Sequence, residues 1–175
     1  LGVRQMEESF AHWGVRRFDL MQVHNMLDWE THLATLKEWK ASGRIRYLGI
    51  TTSHGRRHDA LEAAMRRERL DFVQFSYSFA DRDAEKRLLP LAQDRGAAVL
   101  VNRPFDGGGL FGAVKGKALP GWARDIDCAN WAQAFLKFVV SHPAVTCAIP
   151  ATTSPAHMRE DIGALAGRLP DAVLR

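Results

Sequence analysis

Several residues with chemical capability stand where short apolar runs end. His24 closes one run, Thr51 and Thr52 close a second, and Asn102 and Arg103 close another, while Gln74 interrupts an otherwise apolar stretch. An imidazole can donate a hydrogen bond or move a proton near neutrality. Hydroxyls and a carboxamide offer donors and acceptors together, and a glutamine inside an apolar strand needs partners. A guanidinium pairs with carboxylate or phosphate. Gly107-Gly108-Gly109 lie just beyond Arg103. Such a run lets backbone amides approach an anion closely, although a flexible hinge is the plainer reading of glycines alone.

These groups need a frame. Apolar segments over 18–24, 45–51, 72–77, 97–102 and 145–149 recur with helical stretches between them, which predicts successive βα units and a parallel sheet. Polar groups at the carboxyl ends of such strands are where barrels and open α/β sheets do chemistry. A first helix is expected over about 3–12. Leu33, Leu36 and Trp39 mark the next, stopped by the left-handed terminator Gly43. A helix near 56–68 turns Leu61, Ala64 and Met65 inward and its arginines outward, and another over 83–95 ends at Gly96. A long loop to about 125 precedes an apolar helix near 126–140, and Thr153 or Ser154 caps a last helix with Pro155 in its first turn.

Composition narrows the function classes. A chain of 175 residues fits one domain, taken as 1–175, and can bury a real core. The net charge of +4 is mild, and the arginines fall on presumed helices without a nucleic-acid reader motif. No stretch approaches the ~20 apolar residues of a membrane span, and no signal-peptide pattern opens the chain. Cys128 and Cys147 lack metal spacing and read as reduced apolar fillers, so no metal is expected. The expected location is the cytoplasm. The chain opens with Leu1 rather than Met, and a preceding segment could carry an export signal.

The segment 19–24, then Leu36-Lys37 through 43–50, then Gln74, then Ala148-Ile149-Pro150 with His157 and Glu160, resembles the aldo-keto reductases. The resemblance covers nearly the whole chain. It implies an α/β fold: the C-terminal portion of a (β/α)8 TIM barrel, about five parallel strands with flanking helices, lacking the first three βα units. It also implies NAD(P)H-dependent reduction of an aldehyde or ketone. His24 matches the family's active-site histidine, whose imidazole would orient and polarise the substrate carbonyl. Thr51 and Thr52 align with the Ser-Asn pair that holds the nicotinamide carboxamide, and Gln74 with the glutamine serving the same amide; threonine at 52 is a shorter arm.

Asn102 stands where many relatives stack a tyrosine on the nicotinamide, a face it cannot supply; Arg103 can stack or pair with phosphate instead. Pro104, Phe105, Gly107, Gly109 and Leu110 resemble the phosphate-side loop. Ala151, Thr152, His157, Glu160 and Asp161 fall on the adenosine side. Ala151, Thr152 and His157 replace the lysine, serine and arginine of NADP-preferring relatives, which weakens the case for NADPH. NADP(H) is favoured on family habit, with NAD(H) the other candidate. Trp29 and Trp122 are expected to line an apolar substrate pocket.

The family's catalytic Asp, Tyr and Lys align before Leu1, and neither Tyr47 nor Tyr77 matches the catalytic tyrosine. The chain by itself is therefore expected to be inactive, needing a missing N-terminal half or a partner chain to close the barrel. The leading expectation is the remainder of a longer enzyme; a natural half-barrel and a decayed, non-catalytic member are the others. The rival function is a nucleotide-binding or scaffold subunit that binds cofactor without turnover.

Overall fold

A computed structural model describes residues 2–175. Helix α1 (Gly2–Trp13) leads into β1 (Phe18–Val23), after which helices and strands alternate except for two helices between β4 and β5: α2 (Trp29–Ala41), β2 (Ile45–Thr51), α3 (His58–Arg67), β3 (Phe72–Ser76), α4 (Leu88–Arg95), β4 (Ala98–Asn102), α5 (Gly109–Ala113), α6 (Trp131–Val140), β5 (Cys147–Ala148) and α7 (Pro155–Gly163). All strand pairs are parallel, in the order β1-β2-β3-β4-β5. Sequential parallel strands with a helical crossover after each are the winding of a (β/α)8 barrel, and the fold is part of one.

The helices cover one face of the sheet. Ile50, Val73, Phe75, Val99 and Val101 are fully buried there against Leu33, Leu36, Leu61, Met65, Leu89 and Phe138. Alternation sends the intervening residues to the other, concave face. Register aligns Gln22, Gly49, Phe72 and Ala98 in one row there, and Thr51, Gln74, Leu100 and Cys147 in the next. A Cβ on Gly49 would lie 2.5 Å from the Phe72 carbonyl and 3.0 Å from Gln22 Oε1, so only glycine lets the first row close.

Gly43 (φ 76°) and Gly96 (φ 66°) terminate α2 and α4 in the left-handed region, as their positions predict. Ser154 caps α7 by accepting from the His157 amide, with Pro155 in the first turn. Three expectations need correction. The helix over 83–95 is split: a 3-10 turn spans Asp83–Lys86 and α4 starts at Leu88, because Pro90 lacks an amide proton and is tolerated only in a first turn. The helix near 126–140 starts at Trp131, since Asp127 takes a left-handed φ and Asn130 is the extended cap residue, accepting from the Gln133 amide. Arg56 and Arg57 are not on the solvent face of a helix: α3 starts at His58, and Arg57 is its left-handed cap residue.

Candidate active site

The second concave row ends at the carboxyl edge of the sheet, where Thr51 and Gln74 are register partners. Gln74 Oε1 accepts from Gln22 Nε2 at 3.1 Å, which leaves the Gln74 amide nitrogen as the group it can offer. Thr51 Oγ1 accepts from the Asn25 backbone amide at 2.9 Å, so its own proton stays available. Two donors therefore stand side by side, and the Thr51 oxygen keeps a lone pair. That set complements a primary carboxamide, and the residues fit a nicotinamide.

Thr52 differs from its neighbour. Its hydroxyl donates to the Arg56 carbonyl at 2.5 Å, its amide donates to the Gln74 carbonyl, and its carbonyl accepts from Asn102 Nδ2 at 2.8 Å. Ser76 Oγ donates to Asn102 Oδ1 at 2.7 Å and accepts from the His54 amide. Thr52 and Asn102 thus tie the ends of β2, β3 and β4 together, and their polar atoms serve the scaffold.

Above this network lies a cleft of about 540 Å³ whose lining includes His24, Thr51, Thr52, Gln74, Asn102 and Arg103, together with His54, Arg56 and Arg57. His24 follows β1 directly and opens a 3-10 turn, exposed to the cleft. Backbone strain gathers here. Asn25, His54, Arg57 and Arg103 are non-glycine residues with φ between 52° and 62°, and all line the cleft. Such conformations persist where surrounding structure over-determines them, commonly at functional sites. Arg57 supplies part of that constraint, donating from Nη1 to the carbonyls of Asn25 and Met26 at 3.0 and 3.2 Å.

The other predicted positions sit outside this cleft. Gly107 (φ 63°) makes room for Arg103, whose Nη2 would be 2.6 Å from a Cβ there; Asp106 approaches the same guanidinium at 3.9 Å. Pro104 and Leu110 are buried, and the Phe105 ring packs on Phe111 at 4.9 Å between centroids. Ala151, Thr152 and His157 surround the start of α7, where Thr152 Oγ1 accepts from the Ser154 amide. The Glu160 carbonyl accepts from Gln133, and burial, then the charge of Glu160, pushes the Asp161 carboxyl above its usual range.

Trp29 and Trp122 do not form a wall of this cleft. The Trp29 ring lies under the Arg67 guanidinium at 4.8 Å, beside the helix-covered core. Trp122 lines a separate apolar recess with Phe79, Ile126 and Phe135. Neither aromatic residue had a period or partner that ties it to a strand end. Neither tyrosine lines the cleft either: Tyr47 sits on the concave face against Phe72, while burial, then the bond to Glu85, drives the Tyr77 phenol well above its usual value.

Sequence reasoning missed Gln22, Ser76, His54, Arg56 and Arg57. Gln22 carries the signal that singled out Gln74, an amide inside an apolar strand. The arginine pair was masked by its resemblance to a helix face, since a loop and a helix N-terminus look alike in composition.

Comparison with known proteins agrees with this architecture. A family model described as "Aldo/keto reductase family" matches residues 3–175. The chain is 28% identical to the NADH-specific methylglyoxal reductase of Escherichia coli (strain K12), over 80% of this chain and 50% of that protein. It is 26% identical to the pyridoxal 4-dehydrogenase of Microbacterium luteolum, over 97% of this chain and 58% of that protein. It spans roughly half of these curated relatives' length. In fold it is similar to the holo form of an aldo-keto reductase from Bacillus halodurans, at a TM-score of 0.79 and 20% identity, covering 98% of this chain and 63% of that one. A Klebsiella pneumoniae aldo/keto reductase in complex with NADP and acetate gives a TM-score of 0.73 at 23% identity, over 95% of this chain and 60% of that one. With its parallel strands, its strand-end cleft and a match across nearly its whole length, the chain belongs to the aldo/keto reductase family of oxidoreductases.

Proposed function

We propose that this chain forms the nicotinamide-holding part of an NAD(P)H-dependent carbonyl reductase. The observation that carries the reading is the pair of free donors, Thr51 Oγ1 and Gln74 Nε2, set beside exposed His24 at the mouth of one cleft. Thr51 and Gln74 hold the carboxamide and so fix which edge of the ring faces His24. A bound reduced nicotinamide supplies a hydride to the carbonyl carbon of an aldehyde or ketone, whose oxygen takes up a proton. His24 directs that oxygen by donating a hydrogen bond to the charge that develops on it. Arg103, folded across Gly107, faces the cofactor's phosphates, and the loop Pro104, Phe105, Gly109 and Leu110 shapes that side. Ala151, Thr152, His157, Glu160 and Asp161 meet the adenosine end.

The cleft's lining contains no tyrosine, so the proton that the carbonyl oxygen takes up comes from a group outside that lining. Both cofactor forms are tested together, because relatives include an NADH-specific reductase and a structure holding NADP. In the intact protein that carries this chain, His24→Ala lowers kcat by about a hundredfold while cofactor Kd changes little. An unchanged kcat overturns the assignment of His24.

A further inference from the structure

The cleft is charged in one sense only. Its lining contains Arg56, Arg57, Arg103, His24 and His54 and not one aspartate or glutamate. Several surface arginines are ion-paired, among them Arg44 with Glu7, Arg67 with Glu30, and Arg87 with Asp59 and Glu62; Arg56 and Arg57, like Arg16, Arg17, Arg69 and Arg124, have no ion pair among the described residues. Arg57 is held by two backbone carbonyls, which satisfy its hydrogen-bonding but leave its charge intact. Arg56 makes no ion pair or side-chain hydrogen bond among the described residues.

Position separates these charges by use. Arg103 stands at the end of β4 beside the glycine run, with Asp106 at 3.9 Å partly offsetting it. Arg57 is at the opposite end of the cleft, because the carbonyls that fix it belong to Asn25 and Met26, the residues that follow His24. Arg57 of the loop between β2 and α3 is therefore anchored to the turn that His24 opens, and its neighbour Arg56 lines the same cleft.

We propose that the carbonyl substrate of this cleft is an anion, an aldehyde or ketone that also carries a carboxylate or a phosphate, with Arg56, exposed and unpartnered among the described residues, as its direct partner and Arg57 as fixed charge. This rests on reading the cleft as a carbonyl-reducing site. Holding a second group of the substrate restricts how the carbonyl can lie against His24, and a charge-assisted bond from a guanidinium is the strong kind.

The test uses the intact protein, following nicotinamide oxidation with two matched pairs: succinic semialdehyde against its uncharged amide, and glycolaldehyde phosphate against glycolaldehyde. Direct titration of NADH and NADPH by fluorescence runs alongside. The expected result is a kcat/KM at least about tenfold higher for the anionic member of one pair, and the pair that shows it distinguishes carboxylate from phosphate. The preference shrinks as salt is raised, collapses in Arg56→Gln and is partly kept in Arg56→Lys. Succinate or inorganic phosphate inhibiting the unmutated protein competitively supplies an arm that needs no variant. Cofactor binding with equal kcat/KM for both members of both pairs overturns the anionic substrate while leaving the proposed function standing. No cofactor binding and no turnover of any aldehyde overturns both.

Discussion

Two polar regions of this molecule treat their charges in opposite ways. Around Lys137 on α6, a fully buried ammonium donates to the carbonyls of Ile126, Ala166 and Arg168, so that one side chain ties the long loop to the segment after α7. In the cleft, by contrast, Arg56, Arg57 and His24 have no carboxylate beside them, and Thr51 and Gln74 keep donors in reserve. Buried polar groups that are fully paired hold a fold in place, whereas those kept short of partners are available to a ligand. The contrast supports the reading of the Lys137 region as scaffold and of the cleft as the proposed site.

Breaking the paired region has the largest expected effect on stability. Lys137→Met leaves three carbonyls without their donor, and an unsatisfied buried group costs about 1–3 kcal/mol. A loss of about 3 kcal/mol or more in a urea titration is expected, with the segment 163–168 becoming exchangeable in hydrogen-exchange measurements. A loss under about 1 kcal/mol would mean the clasp is incidental.

The next effect strikes the frame under the cleft. Gly49→Ala forces a methyl against the Phe72 carbonyl and Gln22 Oε1, which requires the β2–β3 pairing to shift. Overpacking of this kind costs about 1–3 kcal/mol. It also disturbs the Gln22–Gln74 bond, so cofactor affinity falls along with stability. Affinity that survives a full loss of stability would place Gln22 outside the site's support.

The smallest effect is a pH dependence remote from the cleft. Burial, then the Arg175 charge, holds the His142 imidazole below its ordinary value; the ring packs edge-on to Tyr77 and accepts from the Ala144 amide. The folded state binds this proton less tightly than the unfolded one. Its contribution is complete above the unfolded value of about 6.5 and is lost as pH falls through the lowered folded value. Urea midpoints should drop on acidification from pH ~6.5, and His142→Gln should flatten that slope. An equal slope in the variant assigns the pH dependence to other groups.

Much of the frame was legible because it depends on local rules. Apolar alternation placed β1 to β4 within a residue or two, and Gly43, Gly96 and Ser154 marked helix ends by their own conformational preferences. The resemblance named His24, Thr51 and Gln74, and the fold brings them to one cleft. Which partners each atom has was not legible. That Thr52 turns its hydroxyl to the Arg56 carbonyl while Thr51 keeps its proton depends on how two loops cross, and identical residue types side by side gave no hint of it. The arginines at 56 and 57 were misplaced for a related reason: composition cannot tell a strained loop from the first turn of a helix.

The proposed function depends on Thr51 and Gln74 holding a nicotinamide carboxamide. Titrating the intact protein and its Gln74→Leu variant with NADH and with ADP-ribose, which lacks the nicotinamide, tests it most directly. The variant is expected to bind NADH about tenfold more weakly, the cost of one lost hydrogen bond, and to bind ADP-ribose as before. Equal affinities of both proteins for NADH would contradict it, as would an equal loss for both ligands.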